Sequence, residues 1–191
     1  MKTIYSRRVR AFSMVELMVV VGIMIVLAGI LIAALPGIQS RINRGKVEAF
    51  IAELEAGLSR YQVENGIYPL NESSGDRDKS GIEGATVLYK HLSGDFDLNG
   101  EVDEKEKIYV PKLDYFSNRN AKEPRSSVIG GDYMVIDSYG NPVRYLAQPP
   151  NLKKGQNRET RNPSYDLWSI TDADPSDPED EAKYITNWSG L

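Results

Sequence analysis

Nineteen consecutive uncharged residues at positions 17–35, LMVVVGIMIVLAGILIAAL, constrain this chain more than any other feature in it. A helix rises about 1.5 Å per residue, so the run nearly matches a hydrocarbon layer about 30 Å thick. The length predicts a membrane helix. Extended back to position 12, the apolar core has 24 residues and carries one charge, Glu16. An ordinary secretory signal uses an apolar run of about 7–15 residues before a small-residue cleavage site. Ala28 and the Ala33-Ala34 pair offer such residues, but the run is longer than a signal needs. A carboxylate deep in a membrane helix costs about 2.5–3.5 kcal/mol, so Glu16 calls for a partner; the plain alternative is that it reaches back to the interface.

The flanks set orientation and exclude one class of partner. Residues 1–11, MKTIYSRRVRA, hold four basic residues and no acidic one, the charge expected on the cytoplasmic side, although Arg41, Arg44 and Lys46 lie beyond the other end. The formal net charge is -4, and removing a leader of +4 leaves -8. No nucleic-acid partner is expected of such a remainder, because phosphate contacts need clustered Lys and Arg. With 191 residues there is room for one soluble head beyond the helix, and without cysteine it has no disulfide and no thiolate metal site.

Around the apolar run the residues read R-A-F-S-M-V-E-L-M-V-V-V: a basic leader, a small residue, Phe12, then Glu16 before the long hydrophobic stretch. This order resembles the prepilin motif of type IV pilins and pseudopilins. The resemblance implies that a membrane prepilin peptidase cuts between Ala11 and Phe12 and methylates the new amine of Phe12. It also implies that Glu16 pairs with the Phe12 ammonium of a neighbouring subunit and sets register in a helical homopolymer. Two departures stand out: Ala11 occupies a position where the family has glycine, and Pro36 falls three residues late.

Pro36-Gly37 predicts a break or kink. Beyond it Ile38, Ile42, Val47, Phe50, Ile51, Leu54, Leu58 and Tyr61 recur at spacings of three and four, the stripe of an amphipathic helix whose apolar face packs on a sheet. Asn65-Gly66 and then Pro69 end it. The ending L-x-x-Y-x-x-x-N-G-x-Y-P, residues 58–69, narrows the resemblance to the major pseudopilins of type II secretion systems. So do the D-x-x-G-N-P turn from Asp137 to Pro142, and residues 165–169 and 185–188 near the end.

The expected organisation is a cleaved leader (1–11), a transmembrane and assembly helix (12–35), an amphipathic helix (36–66) and a globular head (67–191). The head is expected to carry a loop insertion over 71–130, where the composition turns polar. The fold class is α+β, pilin-like: a long N-terminal helix packed on a small antiparallel sheet. Tyr133 and Val135 alternate into a hairpin with Val143 and Tyr145 around Gly140-Asn141, and Leu167, Trp168 and Ile170 supply a third strand.

Inside the insertion, D-F-D-L-N-G-E-V-D-E-K-E at 95–106 fits the twelve-residue EF-hand calcium loop at each informative position. Asp95, Asp97, Asn99, Asp103 and Glu106 offer side-chain oxygens, Glu101 its carbonyl, Gly100 the sharp turn and Val102 an apolar anchor. Six oxygen-bearing positions suit Ca²⁺ better than Mg²⁺. A second acidic run, with six carboxylates over 172–181, ordinarily reads as solvated charge. The pseudopilin resemblance implies a structural Ca²⁺ there, for which Asp174 and Asp180 are the candidates, in shifted register because Ala173 stands where an aspartate is expected.

No G-x-S-x-G, glycine-rich phosphate loop or H-E-x-x-H motif is present, and His91, the only histidine, reads as a packing residue. The resemblance therefore implies a structural protein and not an enzyme: a single-pass inner-membrane subunit with its head in the periplasm. Its partners would be copies of itself, other pseudopilins and secretion-platform proteins. A type IV pilin of a surface fibre, or a membrane-anchored calcium module that never polymerises, are the alternatives. The latter leaves Glu16 unexplained.

Overall fold

A computed structural model describes residues 12–71, 80–102, 105–151 and 158–188. The leader, with Ala11, and Asp103 lie outside them. The first helix, α1, spans Met14–Asn65. The chain divides into two compact units, Met1–Ile42 and Asn43–Leu191, so α1 contributes to both.

Within the first unit α1 is long and apolar enough to cross a membrane, and none of its most apolar window is buried in protein. Ile38 and Ile42, expected in the packed stripe, are exposed with the apolar residues before them. The expected break at Pro36-Gly37 is absent, because helical backbone continues through both residues. Proline removes one hydrogen bond, and long helical stretches on either side hold the backbone in register.

In the second unit the stripe begins at Val47. Val47, Phe50, Ile51, Leu54 and Leu58 are buried together with residues of the sheets and of a second helix, α2, at Glu83–Ser93. The stretch expected to be a loop insertion, 71–130, thus holds α2 among its described residues. Leu88, Tyr89 and Leu92 of α2, with Val110 and Leu113 after it, are fully buried core residues. α2 stops at Gly94, whose φ of 87° is the left-handed conformation that closes many helices. A three-residue 3₁₀ turn, Pro111–Leu113, and a one-turn helix, α3 at Tyr115–Asn118, lead to the strands.

Among the described residues five strands form two antiparallel sheets. β1 (Ser126–Ile129) pairs with β2 (Asp132–Val135), and β3 (Arg144–Ala147), β4 (Tyr165–Ser169) and β5 (Ile185–Thr186) pair in that order. The hairpin therefore differs from the expected one. β2 pairs with β1 through Gly130-Gly131, both at positive φ (64° and 103°), as a tight two-residue hairpin turn requires. The segments expected to pair meet at an Ile136–Pro142 bridge, where the Val143 N–H donates to the Val135 carbonyl and the Asp137 N–H to the Asn141 carbonyl, both at 2.9 Å. Beyond it the Tyr145 N–H donates to the Gly81 carbonyl at 3.0 Å and does not continue that ladder.

Asp137 explains the turn between them. Its Oδ1 accepts the N–H groups of Tyr139 (2.8 Å) and Asn141 (3.0 Å), and the Ser169 hydroxyl donates to Oδ2, tying the turn to β4. Burial pushes the Asp137 carboxyl above its ordinary value, against the lowering effect of these donors. Between the ordinary and the raised value the folded chain keeps a proton that the unfolded chain releases, so this group adds stability as pH falls. The melting temperature of wild type relative to Asp137→Asn should rise when pH is lowered from 7 to about 4, in paired thermal melts. A pH-independent difference would contradict the assignment.

Truncating the central helix residue tests the core. Leu54→Ala is expected to lower stability by about 2–5 kcal/mol in denaturant unfolding, because Leu54 is fully buried.

Candidate assembly and cation sites

At the start of α1 the sequence S-M-V-E folds into a reciprocal cap. The Ser13 N–H donates to Glu16 Oε2 at 2.9 Å, and the Val15 N–H donates to Ser13 Oγ at 3.3 Å. Helix starts leave unpaired N–H groups, and a Ser with Glu three residues later satisfies two of them. The S-x-x-E spacing is readable in the sequence and adds a local role to Glu16. Both Phe12 and Glu16 are exposed, and a carboxylate can accept further donors beyond Ser13.

The 95–106 loop begins directly after α2, which supplies the entering helix of a helix–loop unit. Asp95 is fully buried. Its Oδ2 accepts the Tyr89 hydroxyl (2.9 Å) and the Gly100 N–H (2.8 Å), and its Oδ1 the Asn99 N–H (3.0 Å). Asp97 shares that Asn99 N–H at 3.3 Å, and Asn99 Oδ1 accepts the Glu101 N–H at 2.8 Å. Gly100 is required twice: its φ is 93°, and a Cβ would lie 2.6 Å from the Tyr133 hydroxyl. Val102 approaches Gly94 as the expected apolar anchor.

Thus Asp95, Asp97 and Asn99 come together around one backbone N–H. Glu106 does not join them. It lines a pocket of about 270 Å³ with Tyr61, Asn65, His91, Phe96 and Lys107. Among the described residues no three Asp, Glu or His side chains converge as a metal centre. Asp95 nevertheless has no Lys or Arg partner among the described ion pairs. A buried carboxylate without a counter-charge favours a cation.

The second acidic run is arranged differently. Asp180 Oδ2 accepts the Asp174 N–H at 2.9 Å, while Asp174 Oδ1 takes the Ser176 N–H (2.8 Å) and hydroxyl (2.7 Å). Lys183, at the end of the 3₁₀ turn Pro178–Lys183, places its ammonium on Asp180. The Ser176 bonds hold the Asp174 carboxyl below its ordinary value, and the Lys183 bond does the same for Asp180. Asp174 and Asp180 are adjacent, but an internal ammonium already offsets part of their charge. Ala173 is buried and faces the core.

His91 packs as expected. Its Nδ1 lies 3.2 Å from the Tyr61 hydroxyl, and its ring meets those of Tyr61 and Phe96 edge-on. The contributions of α2 and of the Ser13 cap were missed from sequence. Ala85, Leu88 and Leu92 at helical spacing before Gly94 signal the first, and S-x-x-E signals the second.

Several curated proteins similar to part of this chain share one name. The N-terminal part of the chain is homologous to type II secretion system core protein G. The protein of that name from Klebsiella michiganensis is 38% identical over 63 residues, 33% of this chain and 44% of the relative. Those from Klebsiella pneumoniae and Dickeya chrysanthemi are each 36% identical, over 66 residues (35% and 47%) and 67 residues (35% and 44%). The chain spans about half the length of the curated relatives it matches. No family model matches it, and no solved structure does. The long apolar helix followed by small antiparallel sheets is a pilin-like α+β arrangement, consistent with those relatives and with an inner-membrane anchor.

Proposed function

We propose that this chain is a structural subunit of a type II secretion pseudopilus and helps to move proteins across the outer membrane. The observation that carries the reading is the match to core protein G relatives in a chain whose apolar segment is exposed over residues 12–33 and holds one carboxylate at its start. An unpartnered apolar helix needs either lipid or other helices. Leaving lipid costs little when the same surface is reburied against copies of itself.

In this reading prepilin peptidase cuts between Ala11 and Phe12 and methylates Phe12. Glu16, already oriented by Ser13, then pairs with the Phe12 ammonium of the next subunit, where low dielectric strengthens the attraction. The anchor spans the inner membrane once, with the head on the periplasmic side. Its partners are copies of itself, other pseudopilins and secretion-platform proteins. Deleting the gene in its source bacterium should strip a defined set of proteins from the culture medium and retain them in the periplasm. An unchanged extracellular proteome would contradict the role.

Calcium belongs to the same proposal as a structural ion. Asp95, Asp97, Asn99, the Glu101 carbonyl, Asp103 and Glu106 would hold it, and the buried Asp95, which has no Lys or Arg partner among the described ion pairs, fits a cation. It would supply charge compensation and rigidity to the loop after export. Asp174 and Asp180 are the weaker candidates because Lys183 shares Asp180. At calcium about 100-fold above its dissociation constant, linkage predicts about 2.7 kcal/mol of stabilisation, or a rise of about 5–10 °C in melting temperature. Thermal melts with calcium and with chelator check this, and coincident melts would contradict it.

A further inference from the structure

Two residues of the 95–106 loop face the same pocket. Phe96, between the candidate ligands Asp95 and Asp97, meets the His91 ring edge-on at 5.2 Å between centroids and lies under the Lys90 ammonium at 4.8 Å. Glu106, at the loop's far end, lines the pocket with Tyr61, Asn65, His91 and Lys107. Burial raises the Tyr61 phenol above its ordinary value, and the Glu106 charge adds to the rise. Tyr61 belongs to the last turns of α1, so this pocket is where the loop meets the helix that also carries the apolar segment.

We propose that Glu106 is a two-position ligand: without a cation it sits in the pocket of Tyr61, Asn65, His91 and Lys107, and Ca²⁺ at Asp95 and Asp97 draws it out, so that loading is felt at His91 and the end of α1. This inference rests on the calcium reading. In the loop pattern the twelfth residue closes the coordination sphere with both carboxylate oxygens, whereas Asp95, Asp97 and Asn99 are already assembled. The missing step is therefore movement of Glu106. Its departure leaves no stranded cation: Lys107 pairs with Glu64, and Lys90 retains the face of Phe96. The charged groups lining the pocket are Lys90, Lys107 and Glu106, with Glu64 paired to Lys107 beside it, and a divalent ion outweighs the attraction of a partly exposed ammonium already shared with another carboxylate.

His91 is the only histidine in the chain, so ring-labelled histidine gives one reporter signal. The test uses the untagged full chain in detergent micelles, titrated with CaCl₂ while calorimetry measures binding and NMR follows the His91 ring. The wild type should bind calcium and shift the His91 signal in step with saturation. Glu106→Gln should bind at least about tenfold more weakly, as expected for loss of a charged ligand, and its ring signal should stay in place at calcium concentrations that saturate it. Calcium binding without a His91 shift, or an undiminished shift in Glu106→Gln, would overturn the two-position role and leave the calcium site standing. No heat and no shift would overturn both.

Discussion

Gly84→Ala is expected to destabilise the head by up to about 2 kcal/mol, although alanine is the better helix former. A Cβ at position 84 would lie 2.0 Å from the Tyr145 carbonyl oxygen and 2.7 Å from its carbon. These are backbone atoms of β3, and they cannot swing aside as a side-chain tip can. Tyr145 is held on three sides: its N–H donates to the Gly81 carbonyl at 3.0 Å, its hydroxyl to the Pro69 carbonyl at 2.8 Å, and β3 is paired with β4. α2 must lift from the sheet, opening the contacts of Leu88 and Leu92. Overpacking of this kind costs about 1–3 kcal/mol and sometimes more, against about 1 kcal/mol gained in helix propensity. Gly45→Ala in α1 is the matched control, because nothing lies within 4 Å of its added Cβ. It should be neutral or stabilising by up to about 1 kcal/mol. Urea unfolding followed by the fluorescence of Trp168 and Trp188 separates the two variants, and equal midpoints would contradict the packing of α2 on β3.

Asp95→Ala is expected to cost about 3 kcal/mol or more even in chelator. The substitution leaves the Tyr89 hydroxyl and the Gly100 N–H without their shared acceptor, and the Asn99 N–H with the longer bond to Asp97 at 3.3 Å. Hydrogen bonds to a charged group contribute about 1.5–3 kcal/mol each, and orphaned buried donors add a desolvation cost. Asp95→Asn keeps one acceptor oxygen but turns an amide toward the remaining donors, so an intermediate loss is expected. Unfolding midpoints in chelator isolate this effect from any calcium contribution. A loss seen only with calcium present would mean that Asp95 matters to the loop as a ligand alone.

The long helix and its apolar half were legible because nineteen uncharged residues leave few alternatives. The head half was legible from Val47 to Leu58, where burial follows the helical spacing. Ile38 and Ile42 continue that spacing, yet they are exposed, since periodicity alone cannot say where the packed unit begins. The polar composition around α2 masked its core face. Three well-spaced apolar residues and a glycine stop carried more information than the surrounding Gly, Ser and Asp. The hairpin error arose from two competing turns: Gly140-Asn141 resembles a hairpin turn, but Gly130-Gly131 offers positive φ at adjacent residues and wins the β2 strand. At the candidate sites the residue types were legible and the geometry was not. Glu106 lines a pocket with Tyr61 of another element, whereas Lys183 reaches Asp180 within one 3₁₀ turn whose formation the spacing of the acids did not show.

The central claim, that Glu16 turns the apolar helix into an assembly element, is tested by producing the wild type and Glu16→Ala with the complete secretion machinery and shearing the cells. The wild type should appear in the sheared filament fraction, and Glu16→Ala should remain in the inner membrane at comparable abundance. Equal recovery of both proteins in the sheared fraction would contradict it.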